Sequence, residues 1–199
     1  VDVMRDCLPP GSVQSVKTEL DLIDQQVTRI DAIVGKLLQF ARPGDYASYD
    51  RSVDLAPVVS DCLILVEHEI SKRNITVQQS LAPGLLVRID PGEMQQVVIN
   101  LIVNAIQAMG DNGQLTISLS SEQRDGQDGA CLRVRDVGPG IPPDKLDTVF
   151  DPFFTTKQAQ GTGLGLSISQ TLIQRSGGII SARNCEIGAE FSVWLPAAT

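Results

Sequence analysis

Over the first quarter of the chain, apolar residues recur at Val16, Leu20, Ile23, Val27, Ile30, Val34, Leu37 and Ala41, alternately four and three apart. This is an unbroken a/d seam, the pattern of a coiled coil or of one helix of a four-helix bundle. An ordinary amphipathic helix lying on its own domain is the alternative. Lys17, Glu19, Asp21, Asp24, Arg29, Asp31 and Lys36 fall between the seam positions and face water. Pro43 and Gly44 stop this helix, and Leu8-Pro9-Pro10-Gly11 reads as the end of an earlier helix and a turn. The polar stretch 44–52 then reads as a linker.

Beyond the linker, Asp54 is placed to cap a second helix whose inner face is Leu55, Val58, Val59, Cys62, Val66 and Ile70. Two short strands, residues 75–80 and 85–89, are joined by a turn at Ala82-Pro83-Gly84. Asp90-Pro91-Gly92-Glu93 combines a capping acid, a proline at the first helical position and a reciprocating glutamate. It opens a helix that runs to about Met109 and stops at Gly110-Asp111-Asn112-Gly113. Strand patterns return at 114–121 and 130–136, with 124–129 as a loose hairpin loop. Glycine and proline dominate 138–163, interrupted by a short helical piece at 145–150. A last helix over 164–175 ends at Gly177-Gly178, and 179–184 and 190–195 read as closing strands. Helices on one side of a mixed or antiparallel sheet make an α+β two-layer sandwich, preceded here by a long coiled-coil-type helix.

Composition narrows function more than fold. The 199 residues are 42 % apolar and 20 % charged, with a net charge of −8. Nucleic-acid binding draws its affinity from a basic face, so DNA and RNA are not expected as main partners. Nucleotides remain open, because backbone amides and a metal ion can hold them. Cys7, Cys62, Cys131 and Cys185 are scattered, and with one histidine they form no zinc spacing. They read as reduced cysteines of a cytosolic protein. No run approaches the roughly 18 apolar residues that span a bilayer, so no membrane contact is expected. The chain starts at Val1 rather than methionine and reads as a piece or processed product of a longer protein.

Three clusters carry candidate chemistry. Asn100 and Asn104 lie one helical turn apart, so both amides project from one face of an otherwise apolar helix. An amide oxygen is a suitable hard ligand for Mg²⁺ where phosphates supply the negative charge. Two amides satisfied by a neighbouring loop are the plainer alternative. Asp136-Val137-Gly138-Pro139-Gly140-Ile141 follows a strand directly. Its glycines let backbone approach a ligand, and its carboxylate can accept from an exocyclic amine such as adenine N6. Gly161-Thr162-Gly163-Leu164-Gly165-Leu166 opens a helix, where free amides make an anion site for phosphates. No Gly-Lys-Ser/Thr follows and no βαβ unit surrounds it, so it is neither a Walker A loop nor a Rossmann fingerprint. The preceding Phe150-Asp151-Pro152-Phe153-Phe154-Thr155-Thr156-Lys157 has the composition of a lid that excludes water from a nucleotide. A surface loop pinned by three phenylalanines is the alternative.

In this order and spacing the clusters resemble the catalytic domain of sensor histidine kinases, within the wider superfamily that includes gyrase, Hsp90 and MutL. The N box matches 100–109, the first glycine box 136–140, the phenylalanine box 150–154 and the second glycine box 161–165. The wording from Phe153 to Lys157 and from Gly161 to Ile168 resembles the nitrogen-regulation and dicarboxylate-sensing branch. The heptad ending in Phe40-Ala41-Arg42-Pro43 resembles the second helix of the family's dimerisation hairpin. The resemblance therefore covers the whole chain: 1–45 as part of that hairpin, 46–199 as an ATP-binding domain of the Bergerat fold. It implies ATP and Mg²⁺ as ligands, a homodimer through 16–41, a response-regulator receiver domain as partner and a cytoplasmic location for this region. It further implies Asn104 as the Mg²⁺ ligand, Asp136 as the adenine-reading carboxylate, and Asn100 as support for the phosphate and metal region. Gly161, Thr162, Gly163, Leu164 and Gly165 wrap the phosphates in this reading. Gly138, Gly140 and Ile141 line the nucleotide, and Phe150, Phe153, Thr155, Thr156 and Lys157 belong to the lid.

Where gyrase-like hydrolases carry a glutamate that activates water, this chain has Asn100, and an amide cannot act as a general base. The resemblance thus implies that the γ-phosphate is presented to another nucleophile, with Asn100, Asn104 and Lys157 as the catalytic set. Gln107 stands where many members have a phosphate-binding lysine or arginine, a role expected here of Lys157. The third glycine motif is reduced to Gly188-Ala189-Glu190-Phe191. The family's phosphoacceptor box is missing. His68 follows the heptad, lacks the box's proline and falls about 200° around its helix from Val66, so it reads as an exposed structural histidine. Truncation accounts for the gap, with 1–8 as the end of the acceptor helix. Three other readings stay open: a regulatory nucleotide-binding module, a gyrase- or MutL-type ATPase, and an anti-sigma-type serine kinase.

Overall fold

A computed structural model describes residues 20–23, 27, 52–155 and 162–198. The chain divides into two units, Val1–Gly44 and Asp45–Thr199. Of the first unit, residues 20–23 and 27 are described, all helical. The remaining seam positions lie outside the described residues, so the predicted coiled-coil helix over 16–41 is not established.

In the second unit, β1 (Ser52–Asp54) leads into α1 (Leu55–Lys72). Asp54 caps α1 as expected: its carboxylate accepts from Ala56 N at 3.2 Å and also from Gly84 N at 3.1 Å. Leu55, Val59, Cys62, Val66 and Ile70 are buried at helical spacing, whereas Val58 is half-buried. α2 (Pro91–Met109) starts where the sequence places it, with Asp90 Oδ1 accepting from Gly92 N and Glu93 N. Its buried face holds Met94, Val97, Val98, Leu101, Ile102, Ala105 and Ile106, and α1 packs on one side of it. Burying each of the large side chains among these contributes about 2 kcal/mol. The third helix, α3 (Gly165–Arg175), packs on the other side of α2.

These helices cover a mixed five-stranded sheet in the order β2-β4-β5-β7-β6. The strands are β2 (Thr76–Leu81), β4 (Gln114–Arg124), β5 (Gln127–Arg135), β6 (Ile179–Asn184) and β7 (Ala189–Pro196). Among the described strands, only β2 and β4 pair in parallel. Leu115, Ile117 and Leu119 alternate with polar neighbours along β4, the signature of one buried face. The α+β sandwich expected from the sequence is the observed fold.

Three local expectations need correction. The strands predicted either side of Ala82-Pro83-Gly84 form but do not pair with each other. β2 pairs with β4, while β3 (Leu86–Arg88) pairs with β1, which the sequence reading did not find. The loose loop at 124–129 is a two-residue turn. Asp125 and Gly126 both have positive φ (51° and 79°), the geometry that matches hairpin twist, and pairing runs on to Arg124 and Gln127. The helical piece predicted at 145–150 is a 3-10 helix over Pro143–Thr148.

Candidate nucleotide-binding site

Asp136 sits at the end of β5, 2 % exposed among the strands that carry the core. A carboxylate this buried needs donors, and backbone supplies them: Oδ1 accepts from Gly138 N at 2.8 Å and from Ala189 N at 3.3 Å. Its own N–H donates to Ala189 O at 3.0 Å, so β7 holds both the backbone and the side chain of Asp136. Gly188 precedes that contact with φ +78°, and a Cβ there would overlap the Asp136 carbonyl oxygen. The reduced third glycine motif therefore keeps the one glycine that the carboxylate's placement requires.

Asn100 and Asn104 are half-buried on α2, and their surroundings differ. Asn100 Nδ2 donates to Gly165 O at 3.2 Å and Ser169 Oγ at 3.3 Å, fastening α2 to the first turn of α3. The Asn104 side chain has no hydrogen-bond partner among the described residues. The two amides thus divide between the plain reading and the ligand reading drawn from the sequence.

α3 begins at Gly165, with Leu164 buried before it and no side-chain cap on its first turn. An uncapped N-terminus entered through Thr162 and Gly163 leaves amides for an anion. Gly163 has φ +67°, and a Cβ there would overlap the backbone of Phe153. Phe153 itself has φ +67° and is 66 % exposed, a backbone state that costs a non-glycine residue about 1 kcal/mol. Strain of this kind, held by a close backbone contact, is common at ligand clamps. Phe150 anchors the same segment, its ring edge-on to Phe191 of β7 at 6.3 Å and 87°. Thr155 is exposed at the segment's end. Thr156, Lys157 and Gly161 lie outside the described residues.

The structure adds residues that the sequence reading did not select. Ala189 donates to Asp136, Ser169 accepts from Asn100, and Asn184 is bonded to both backbone groups of Ile141. His68 is exposed on α1. Among the described residues, no helix is long and apolar enough to cross a membrane.

A buried acid at a strand end, an asparagine whose side chain has no hydrogen-bond partner among the described residues and an uncapped, glycine-led helix start fit a nucleotide with its metal and phosphates. Comparison with known proteins points the same way. The sequence profile of histidine kinase-, DNA gyrase B-, and HSP90-like ATPases matches residues 89–199. Sensor histidine kinase ZraS of Salmonella typhimurium is 36 % identical over 174 residues, 86 % of this chain and 36 % of its own length. The C4-dicarboxylate transport sensor protein DctB of Rhizobium meliloti is 33 % identical over 198 residues, 99 % of this chain and 31 % of its own. The chain therefore spans about a third of the length of these curated relatives. The catalytic domain of histidine kinase ThkA superposes with a TM-score of 0.65 at 36 % identity, covering 74 % of this chain and 96 % of that one. ThkA in complex with response regulator protein TrrA gives a TM-score of 0.72 at 29 % identity, covering 98 % and 55 %. The chain belongs to the family of histidine kinase-, DNA gyrase B-, and HSP90-like ATPases.

Proposed function

We propose that this chain is the ATP-binding catalytic region of a sensor histidine kinase, which holds ATP with Mg²⁺ and presents the γ-phosphate to a histidine. The phosphate then passes to an aspartate of a response regulator. The observation that carries this reading is the buried Asp136 carboxylate, fixed by Gly138 and Ala189 beside the glycine loop. A carboxylate held there accepts from the adenine N6 amine and leaves the phosphates to the start of α3. Asn104 is the side chain for Mg²⁺, which when bound neutralises phosphate charge. Thr155, Thr156, Lys157 and Gly161 complete the lid and phosphate cradle.

Transfer rather than hydrolysis is favoured because no carboxylate stands at Asn100. Its amide nitrogen donates to Gly165 and Ser169 and cannot take a proton from water. His68, on the surface of α1, is not the acceptor; another segment or chain supplies that histidine. Residues 1–45 belong to the dimerisation hairpin in this reading, pairing two copies through 16–41, in the cytoplasm. The partnership of ThkA with TrrA supports a receiver domain as the next acceptor.

Incubating the chain with γ-labelled ATP, Mg²⁺ and a separately supplied hairpin that carries the acceptor histidine tests the reaction. Label on the hairpin is expected. Release of inorganic phosphate with none on the hairpin would make the chain a hydrolase instead.

A further inference from the structure

Asn184 ends β6, far along the chain from the glycine loop, yet it closes that loop. Its Oδ1 accepts from Ile141 N at 2.8 Å and its Nδ2 donates to Ile141 O at 2.6 Å. A carboxamide carries a donor and an acceptor side by side, so it can meet an N–H and a C=O of the same residue together, as a paired strand would. Gly140, at φ +76°, lies directly beneath it: a Cβ there would stand 2.9 Å from Asn184 Oδ1.

The opposite end of the loop is tied to the same hairpin. Asn184 and Ala189 are cross-strand partners, and Ala189 accepts from the Asp136 backbone N–H through its carbonyl and donates its own N–H to the Asp136 carboxylate. Cys185 N donates to Gly188 O at 3.0 Å and shuts the turn between them. The β6–β7 hairpin therefore staples the loop at Asp136 and again at Ile141, leaving Val137 to Gly140 spanning two fixed points.

We infer that Asn184 is a positioning residue for the adenine end of the pocket, holding the exit of the glycine loop so that Asp136 and Gly138 meet the base in register. The inference rests on the nucleotide reading above. Asn184 and its two bonds are exposed to solvent, and water can satisfy either partner singly. Removing the side chain thus disturbs geometry more than global stability.

The experiment is calorimetric titration of the chain, Asn184→Ala and Asn184→Asp with Mg-ATP and, separately, with adenosine, each well below its own melting midpoint. Asn184→Asp keeps size and the acceptor but sets a carboxylate against Ile141 O, which guards against a result due to lost volume. Both variants are expected to lose about tenfold in affinity, the scale of two neutral hydrogen bonds, and by the same factor for ATP and adenosine. Unchanged affinity with a lowered melting midpoint would show a merely structural residue and overturn the inference. A loss confined to ATP would also overturn it, by placing the effect at the phosphates or lid. If the unaltered chain binds neither ligand, the nucleotide reading itself falls, a result separable from unaltered binding with insensitive variants.

Discussion

Asn100 of α2 donates a 3.3 Å hydrogen bond to Ser169 Oγ of α3, and the hydroxyl in turn donates to Gly165 O at 2.9 Å. Asn100 also reaches that carbonyl, at 3.2 Å, so three polar groups close a triangle at the helix–helix contact. Ser169 is fully buried, which makes the arrangement sensitive to loss of either partner. Asn100→Ala and Ser169→Ala are each expected to destabilise the chain by about 1 kcal/mol in urea unfolding. Because they share one network, the double variant loses less than the sum, with a coupling of about 0.5–1 kcal/mol. Strict additivity would mean that the two side chains do not act together.

Gly188→Ala faces two obstacles, a φ of +78° and the Asp136 carbonyl oxygen in the space a Cβ needs. The backbone state alone costs about 1–2 kcal/mol. Relief of the overlap must move β7 away from Asp136, so nucleotide affinity should fall together with the melting midpoint. Ile187→Ala, one residue earlier at a 61 % exposed side chain, should change neither. Equal effects from the two substitutions would argue against a specific role for Gly188.

How far the sequence foretold this site depended on where each residue's partners lie. The start of α2 was readable because Asp90, Pro91 and Glu93 are consecutive and act on their own helix end. β1 was not: Ser52 and Asp54 are polar, and their strand exists only by pairing with Leu86–Arg88, more than 30 residues on. The Asp125-Gly126 turn carried its own signal, but Gln127 and Asp128 look like loop until Arg124 and Gln123 of β4 are paired opposite them. Asn100 and Asn104 were indistinguishable along the chain, since what separates them is Ser169 on another helix. Asn184 had no local mark, as its partner Ile141 precedes it by 43 residues.

The cysteines separate by exposure. Burial, with a smaller push from Asp61, raises the Cys62 thiol from 9.0 to about 11. Burial likewise lifts Cys131 to about 11, against the opposing pull of Arg133. Cys185 is half-buried in the β6–β7 turn. Brief alkylation of the native chain near pH 8, followed by peptide mapping, should label Cys185 and leave Cys62 and Cys131 until the chain unfolds. A raised thiol value stabilises the fold fully below the unfolded value and loses that contribution as pH rises through the folded one. These two groups therefore lower stability progressively between pH 9.0 and about 11. Rapid native labelling of Cys62 or Cys131 would contradict the burial described.

The central claim is that Asp136 reads the adenine of a bound ATP. Calorimetric titration of the chain and of Asp136→Asn with Mg-ATP tests it most directly, because asparagine keeps the shape and can still accept from Gly138 N. What it changes is the second atom, from an acceptor oxygen to an amide NH2 donor that opposes the adenine N6 donor. The account predicts binding by the unaltered chain and at least a tenfold loss in the variant. Equal affinity in both, or no binding by the unaltered chain, would contradict it.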